Sequence, residues 1–244
     1  MKNRYQNFIF DLYGTLADIR TDEELPEVWQ TAEAFLAPAG IFYAPDELKE
    51  AYFRRNAELF WEQDAKLKAA GTEGPAEIEI LDVWKDLAKE KGVDLPRKMQ
   101  LELSHIFREC STIRLRLFPG AEEVLKALRK AGKTICLLTN AQESFTAPEL
   151  RKLEIESCFD FIFYSSREGV KKPSPVFFSK PLSVGLKAEE SLMIGNDDIC
   201  DCHGAAAAGM DSLYIFTEQS PKRTFPLPKN CREIKSLREI LAFI

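Results

Sequence analysis

Short, almost unbroken apolar runs alternate with amphipathic stretches along most of this chain. Asn7-Phe8-Ile9-Phe10-Asp11 closes on an acid and is soon followed by Gly14, so it reads as a buried strand opening into a turn. Residues 133–138 (KTICLL) read the same way and close on Thr139-Asn140. Residues 159–164, 191–194 and 212–216 repeat the pattern. Strands with so little alternation are covered on both faces, as in a parallel sheet. Between them the spacing turns helical. Residues 121–130 put Val124, Leu125 and Leu128 on one face ahead of Gly132, and residues 201–208 stop at Gly209. Such alternation predicts an α/β fold built on a doubly wound, Rossmann-like parallel sheet.

From about Thr21 to Arg114 the period changes. Trp29, Ala32, Phe35 and Leu36 form one helical stripe, and Leu48, Ala51, Tyr52, Leu59 and Phe60 a second. Ile80, Leu81, Val83, Trp84 and Leu87 form a third, and residues 101–107 a fourth. Breaks fall at Pro38-Ala39-Gly40, between Gly71 and Pro75, and between Gly92 and Pro96. The spacing predicts a bundle of four or five helices inserted after the first strand, with the stripes as its core. The expected division is 1–18 with 115–244 for the α/β core, and 19–114 for the helical insert.

Composition narrows the partners more than the fold. The formal charge is −6 and no Lys/Arg block occurs, so nucleic acid is not an expected partner. No apolar run approaches the roughly 20 residues of a membrane span, so no membrane partner is expected. The start has too short an apolar stretch for a secretory signal. The six cysteines therefore read as free thiols of a cytoplasmic protein. Cys200-Asp201-Cys202-His203 has no second Cys/His pair to complete a metal site. Oligomeric state has no signature in the pattern.

The ends of the expected strands carry the chemistry. In an open parallel sheet, ligands bind beyond the carboxyl ends of the strands. Those ends hold Asp11, Thr139-Asn140, Ser165-Ser166 and Asn196-Asp197, with Lys171-Lys172 after the third. A carboxylate can attack carbon or phosphorus and form an ester or acyl phosphate that water hydrolyses, which makes Asp11 the candidate nucleophile. A phosphate substrate would repel it, and Mg²⁺ held by Asp197 and Asp201 would relieve that repulsion. Lys172 and the Thr139 hydroxyl would hold the transferring group, with backbone N–H groups of the turn around Gly14 and Thr15 as further donors.

These residues resemble the motifs of the haloacid dehalogenase superfamily. Phe10-Asp11-Leu12-Tyr13-Gly14-Thr15-Leu16 looks like the first motif and Leu137-Leu138-Thr139-Asn140 the second. Lys172-Pro173-Ser174-Pro175 resembles the third. Ile194-Gly195-Asn196-Asp197 with Asp201, Gly204-Ala205 and Gly209-Met210 resembles the fourth, and Phe118-Pro119-Gly120 the return from a helical cap. The resemblance implies a Rossmann-like core, a cap between motifs one and two, and a hydrolase acting through an aspartyl intermediate. It also implies the Tyr13 backbone carbonyl as a Mg²⁺ ligand and Asn140 in substrate binding.

Several positions depart from the phosphatase pattern. Tyr13 stands where phosphatases carry the aspartate that protonates the leaving group, and a phenol of pKa near 10 is a poor substitute. Asp-x-Tyr-Gly-Thr is similar to the L-2-haloacid dehalogenase branch, which needs no metal. That branch uses a cap arginine, for which Arg54 and Arg55 are the candidates. Phe178 stands where it has an aromatic hydroxyl. Asn196 takes the place of the usual motif-four acid, and Asp197 is expected as the direct ligand because an anionic oxygen suits Mg²⁺ better. Asp198 is expected to face solvent, Asp201 to orient Lys172 or a metal-bound water, and Pro181 to shorten or kink its helix. The leading expectation is a Mg²⁺-dependent phosphatase of a small phosphorylated metabolite. The alternatives are an L-2-haloacid dehalogenase and a catalytically weak phosphate-binding or regulatory protein.

Overall fold

A computed structural model describes residues 4–244. Six strands form one parallel sheet: β1 (Asn7–Phe10), β4 (Thr134–Thr139), β5 (Phe161–Tyr164), β6 (Ser191–Gly195), β7 (Asp211–Ile215) and β8 (Cys231–Ile234). Their order is β5-β4-β1-β6-β7-β8, so the first strand lies in the interior of the sheet. Alternate side chains feed two apolar layers. Phe8, Phe10, Ile135, Leu137, Leu192 and Ile194 pack with Val124, Leu125 and Leu128 of α5 (Ala121–Lys130). Ile9, Cys136, Leu138 and Met193 pack with Phe177 and Phe178 of α8 (Pro175–Ser183). Cover on both faces is why these strands read as continuous apolar runs.

β8 and a two-stranded antiparallel ribbon lie outside the sequence expectation. The ribbon pairs β2 (Ala17–Thr21) with β3 (Thr112–Leu117). It straddles both expected boundaries of the insert. Between its strands run α1 (Pro26–Leu36), α2 (Pro45–Ala69), α3 (Ile80–Glu90) and α4 (Arg97–Ser111). The stripes read from the sequence meet as one apolar cluster. At its centre the Tyr52 ring lies 5.3 Å from Trp29, 4.7 Å from Trp84 and 5.2 Å from Phe107. Aromatic pairs at such spacings add stabilisation beyond their buried area.

The segment joining α2 and α3 leaves the bundle and lies along the sheet's strand tips. The Glu77 N–H donates to the Gly169 carbonyl at 3.1 Å, and the Lys171 N–H to the Pro75 carbonyl at 3.1 Å. Gln63 Nε2 donates to the same Gly169 carbonyl at 3.0 Å, and Ser165 Oγ to Glu77 Oε2 at 2.9 Å. Helical layer and sheet are thus joined here as well as through the ribbon. After β6 the chain makes a π-helical turn, Asp198–His203, before a single α-turn, α9 (Gly204–Ala207), where the sequence predicts one continuous helix. Pro181 sits inside the nine-residue α8, short as expected.

Candidate active site

β1 is flanked by β4 and β6, and Phe10 is in register with Leu137 on one side and Ile194 on the other. The chain leaves β1 toward β4 and leaves β6 toward β7, so their tips form the crevice where the connections diverge. Asp11 follows β1 there, its N–H donating to the Ile194 carbonyl at 2.9 Å. Thr139 ends β4 and Gly195 ends β6, which brings residues distant in sequence to adjoining tips.

Lys172 binds the cluster together. Its Nζ lies 2.8 Å from Asp11 Oδ1 and 2.7 Å from Asp201 Oδ1, and the residue is only 2% exposed. Burial opposes its charge, but Asp11 and Asp201 outweigh that and lift the ammonium above its ordinary pKa. Asp201 is pushed up from the carboxylate range by burial, with Lys172 opposing and Asp11 adding to the shift. Asn140 holds the lysine's main chain from both sides: its Oδ1 accepts the Lys172 N–H at 2.8 Å and its Nδ2 donates to the Lys172 carbonyl at 3.2 Å. Its amide thus brackets the main chain of Lys172. Ser165 and Ser166, also at a strand end, accept from the N–H groups of Ala141 and Glu143 and so shape the turn after β4.

Close approach explains two glycines. Gly14 has φ +82°, and a Cβ there would run into the Asn196 amide. A Cβ on Gly195 would occupy the place of the Asp201 carboxylate. Thr15 Oγ1 stands 3.0 Å from Asp11 Oδ2 and 3.3 Å from Asn196 Oδ1, which draws the motif-one turn and the β6 tip together.

The fourth motif differs from expectation at two acids. Asp197 turns to the π-helical turn: its Oδ1 accepts from the N–H groups of Ile199 at 2.9 Å and Cys200 at 2.8 Å, the work of a helix cap. Asn196 is the residue whose side chain reaches the Asp11 cluster. Asp198, expected in solvent, is 2% exposed and accepts from the N–H groups of Thr224 at 3.0 Å and Phe225 at 3.1 Å. Burial works against its charge, and those backbone bonds overcome it, lowering its pKa. Asp201 meets Lys172 as expected, and its Oδ2 accepts the Asp197 N–H at 3.0 Å.

Two further observations bear on ligands. The Thr139 hydroxyl is buried and has no hydrogen-bond partner, and a polar atom in that state costs free energy until something fills its valence. Around the lysine, two carboxyl groups face one ammonium. Among the described residues no cluster of three or more His, Cys, Asp or Glu side chains has metal-holding geometry. The donors that do fit Mg²⁺ are the Asp11 carboxylate and the Asn196 amide oxygen, hard oxygens for an ion that keeps several waters. Asp197 Oδ1 is instead taken up by the N–H groups of Ile199 and Cys200.

Tyr13 points into a separate network. Its hydroxyl donates to Glu149 of α6 (Glu143–Lys152) and lies 2.9 Å from Thr146 Oγ1. Arg108, on α4, donates from Nε to Glu149 Oε1 at 2.7 Å. Burial, then the Glu149 charge, raise the phenol well above its ordinary pKa. Arg54 and Arg55 do not join the Asp11 cluster. Arg54 pairs with Glu58 and Glu90, and Arg55 with Glu58, Glu62 and Asp86, all carboxylates of α2 and α3. The helical arginine that reaches the motif-one loop is Arg108. Its one sequence signal is its place in the last turn before the return to the sheet.

Comparison with known proteins agrees with the geometry. Residues 5–209 match the family described as haloacid dehalogenase-like hydrolase. A glyceraldehyde 3-phosphate phosphatase of Pyrococcus abyssi is 32% identical over 132 residues, 53% of this chain and 56% of the relative, so the match spans little more than half of that protein. A phosphoglycolate phosphatase of Pseudomonas syringae pv. syringae is 36% identical over 235 residues, 96% of this chain and 77% of the relative. The crystal structure of a 2-haloacid dehalogenase from Pseudomonas syringae pv. tomato superimposes with a TM-score of 0.63 at 21% identity, covering 98% of each chain, a likeness of fold. With the motif residues gathered at adjoining strand tips and the family match spanning most of its length, this chain belongs to the haloacid dehalogenase-like hydrolases.

Proposed function

We propose that the protein hydrolyses small phosphorylated metabolites through a covalent intermediate on Asp11. The observation that carries this reading is the meeting of a nucleophilic carboxylate, a buried ammonium and an unpartnered buried hydroxyl at one crevice. Asp11 Oδ attacks phosphorus and the bond to the leaving oxygen breaks. Water then attacks the phosphorus of the aspartyl phosphate and restores the carboxylate. Lys172 orients Asp11 and offsets the phosphoryl charge. Thr139 donates its hydroxyl to a phosphoryl oxygen, and backbone N–H groups at Gly14 and Thr15 add donors. Asp201 and Asn140 position Lys172. Mg²⁺ held by Asp11, Asn196 and the Tyr13 carbonyl supplies charge neutralisation when bound.

In this reading residues 19–114 act as a cap that shields the crevice from bulk water and selects the substrate. Small phosphate esters in the names of the two relatives support the substrate class. No helix among the described residues is long and apolar enough to cross a membrane, and the acidic chain offers nothing to nucleic acid. The six cysteines, unbridged among the described residues, support a reducing cytoplasmic setting.

A second reading, metal-independent L-2-haloacid dehalogenation, is favoured by Tyr13 in motif one and by the neutral Asn196 beside the nucleophile. One assay pair separates the two. The phosphatase reading expects Mg²⁺-dependent phosphate release from p-nitrophenyl phosphate, abolished in Asp11→Asn. Equal halide release from L-2-chloropropionate with and without EDTA would establish the dehalogenase instead.

A further inference from the structure

We propose that the preferred substrates are phosphates of weakly basic leaving groups, acyl phosphates foremost, and that alkyl phosphates are turned over poorly. The inference rests on the phosphatase reading above and names its substrate class.

It follows from where the protons around Asp11 are committed. Lys172 Nζ donates to Asp11 and Asp201. Asp201 bonds to Lys172 and to the Asp197 N–H, and so stands behind the lysine, one residue removed from Asp11. Thr15 and Thr139 are aliphatic alcohols, and Asn196 is an amide. Neither an alcohol nor an amide yields a proton to a departing oxygen at neutral pH.

Tyr13 and the histidines do not fill the gap. The Tyr13 hydroxyl stands between Glu149 and Thr146, and the other Glu149 oxygen is held by Arg108. This knot joins α4, α6 and the motif-one loop and commits the phenol proton to a carboxylate. His203 Nε2 lies 3.1 Å from the Pro226 carbonyl, and His105 sits on α4 beside Arg108 and Lys152. Neither belongs to the Asp11 cluster.

The first step must then proceed without a general acid. Asp11 forms its bond to phosphorus, and the leaving oxygen takes the electron pair of the bond that breaks. A carboxylate, whose acid has a pKa of about 4, departs as it is. An alkoxide is far more basic and needs a proton that no neighbour supplies. In the second step water attacks phosphorus, Asp11 recovers its electron pair, and the proton passes to bulk water or to the released phosphate.

The test is a leaving-group series on the full-length protein with Mg²⁺ present throughout. General-acid assistance contributes roughly 10²–10⁴-fold where it operates. Without it, kcat/KM for acetyl phosphate and for p-nitrophenyl phosphate should each exceed that for ethyl phosphate by at least about 10³-fold, counting the intrinsic difference in leaving groups. The two good substrates pass through one aspartyl phosphate. That species should appear by mass spectrometry as one added phosphoryl group, absent in Asp11→Asn. Tyr13→Asp should raise the ethyl phosphate to acetyl phosphate ratio. If that variant does not fold, the series on the natural protein decides alone. Comparable kcat/KM for ethyl and acetyl phosphate overturns the inference while leaving the phosphatase reading intact. Turnover of p-nitrophenyl phosphate without acetyl phosphate moves the class to aryl esters and overturns the acyl assignment. No turnover of any of the three removes the phosphatase reading and this inference with it.

Discussion

Replacing Lys172 by methionine tests the charge balance of the site directly. The substitution keeps most of the volume and removes the ammonium from between Asp11 and Asp201, contacts of 2.8 and 2.7 Å. At an effective dielectric of about 20, each contact is worth about 6 kcal/mol before desolvation is counted. Burying the ammonium cancels much of that gain. What the variant exposes is a pair of enclosed carboxylates with no counterion, and breaking a buried pair in this way costs about 3–5 kcal/mol. For a chain of this size each kcal/mol moves Tm by about 2–4 °C, so the expected fall is about 6–20 °C.

The pH dependence carries the sign. A carboxyl whose folded pKa is raised is a burden above its unfolded value of about 4, and the burden lifts as pH falls through the folded value. Burial already raises Asp201 with Lys172 present, and removing Lys172 takes away the group that opposes the rise. The deficit of the variant against the natural protein should therefore shrink between about pH 8 and about pH 5. Melting curves across that range check it. A fall in Tm under about 2 °C, or a deficit that widens in acid, would refute the picture of a buried ammonium serving as counterion to both carboxyl groups.

Three further outcomes follow from the same geometry. Thr139→Val removes a buried hydroxyl that has no partner, so Tm should hold or rise while kcat/KM falls about tenfold or more, the worth of one lost hydrogen bond to a charged oxygen; a lower Tm with unchanged kinetics contradicts the assignment. Asp197→Ala loses a turn cap worth about 1 kcal/mol and should leave Mg²⁺ affinity by calorimetry unchanged, whereas Asn196→Asp should tighten it. Gly14→Ala forces a side chain into a left-handed backbone and against Asn196, so its denaturation midpoint should drop by the equivalent of about 1–3 kcal/mol. An unshifted midpoint would mean that the loop is looser than its contacts imply.

Sequence patterning was informative wherever burial is two-sided. The five apolar runs became strands because both their faces meet helices, and the aromatic stripes became the bundle's core. β8 escaped notice because CREI is short and half exposed at the sheet edge. The ribbon strand β3 does carry a strand signal, the alternation Ile113-Arg114-Leu115-Arg116-Leu117, but it directly follows a helix and merges with that helix's pattern. At the site, strand tips pointed to Asp11 and Thr139, with Lys172 and Asp201 in the segments that follow later strands, because α/β topology dictates where tips converge. Side-chain direction was not legible. Charge alone favoured Asp197 over Asn196, yet the π-helical turn aims Asp197 at backbone amides and tucks Asp198 inside. Arg54 and Arg55 attract attention in the sequence, but nearby acids engage them first, and Arg108 meets Tyr13 across a distance in sequence, beside their shared partner Glu149.

The stitching of the segment between α2 and α3 to the strand tips has a consequence for motion. A helical layer fastened only by its ribbon could swing like a door, but here Glu77 and Lys171 are laced to Gly169 and Pro75 on the far side. Any such swing must either unlace those two backbone bonds or carry the Gly169 loop, with Lys172 just beyond it, along with the helices. Movement of the helices and the placement of the ammonium are thereby mechanically linked, and the amides of Glu77 and Lys171 are the natural gauges of how often that lacing opens.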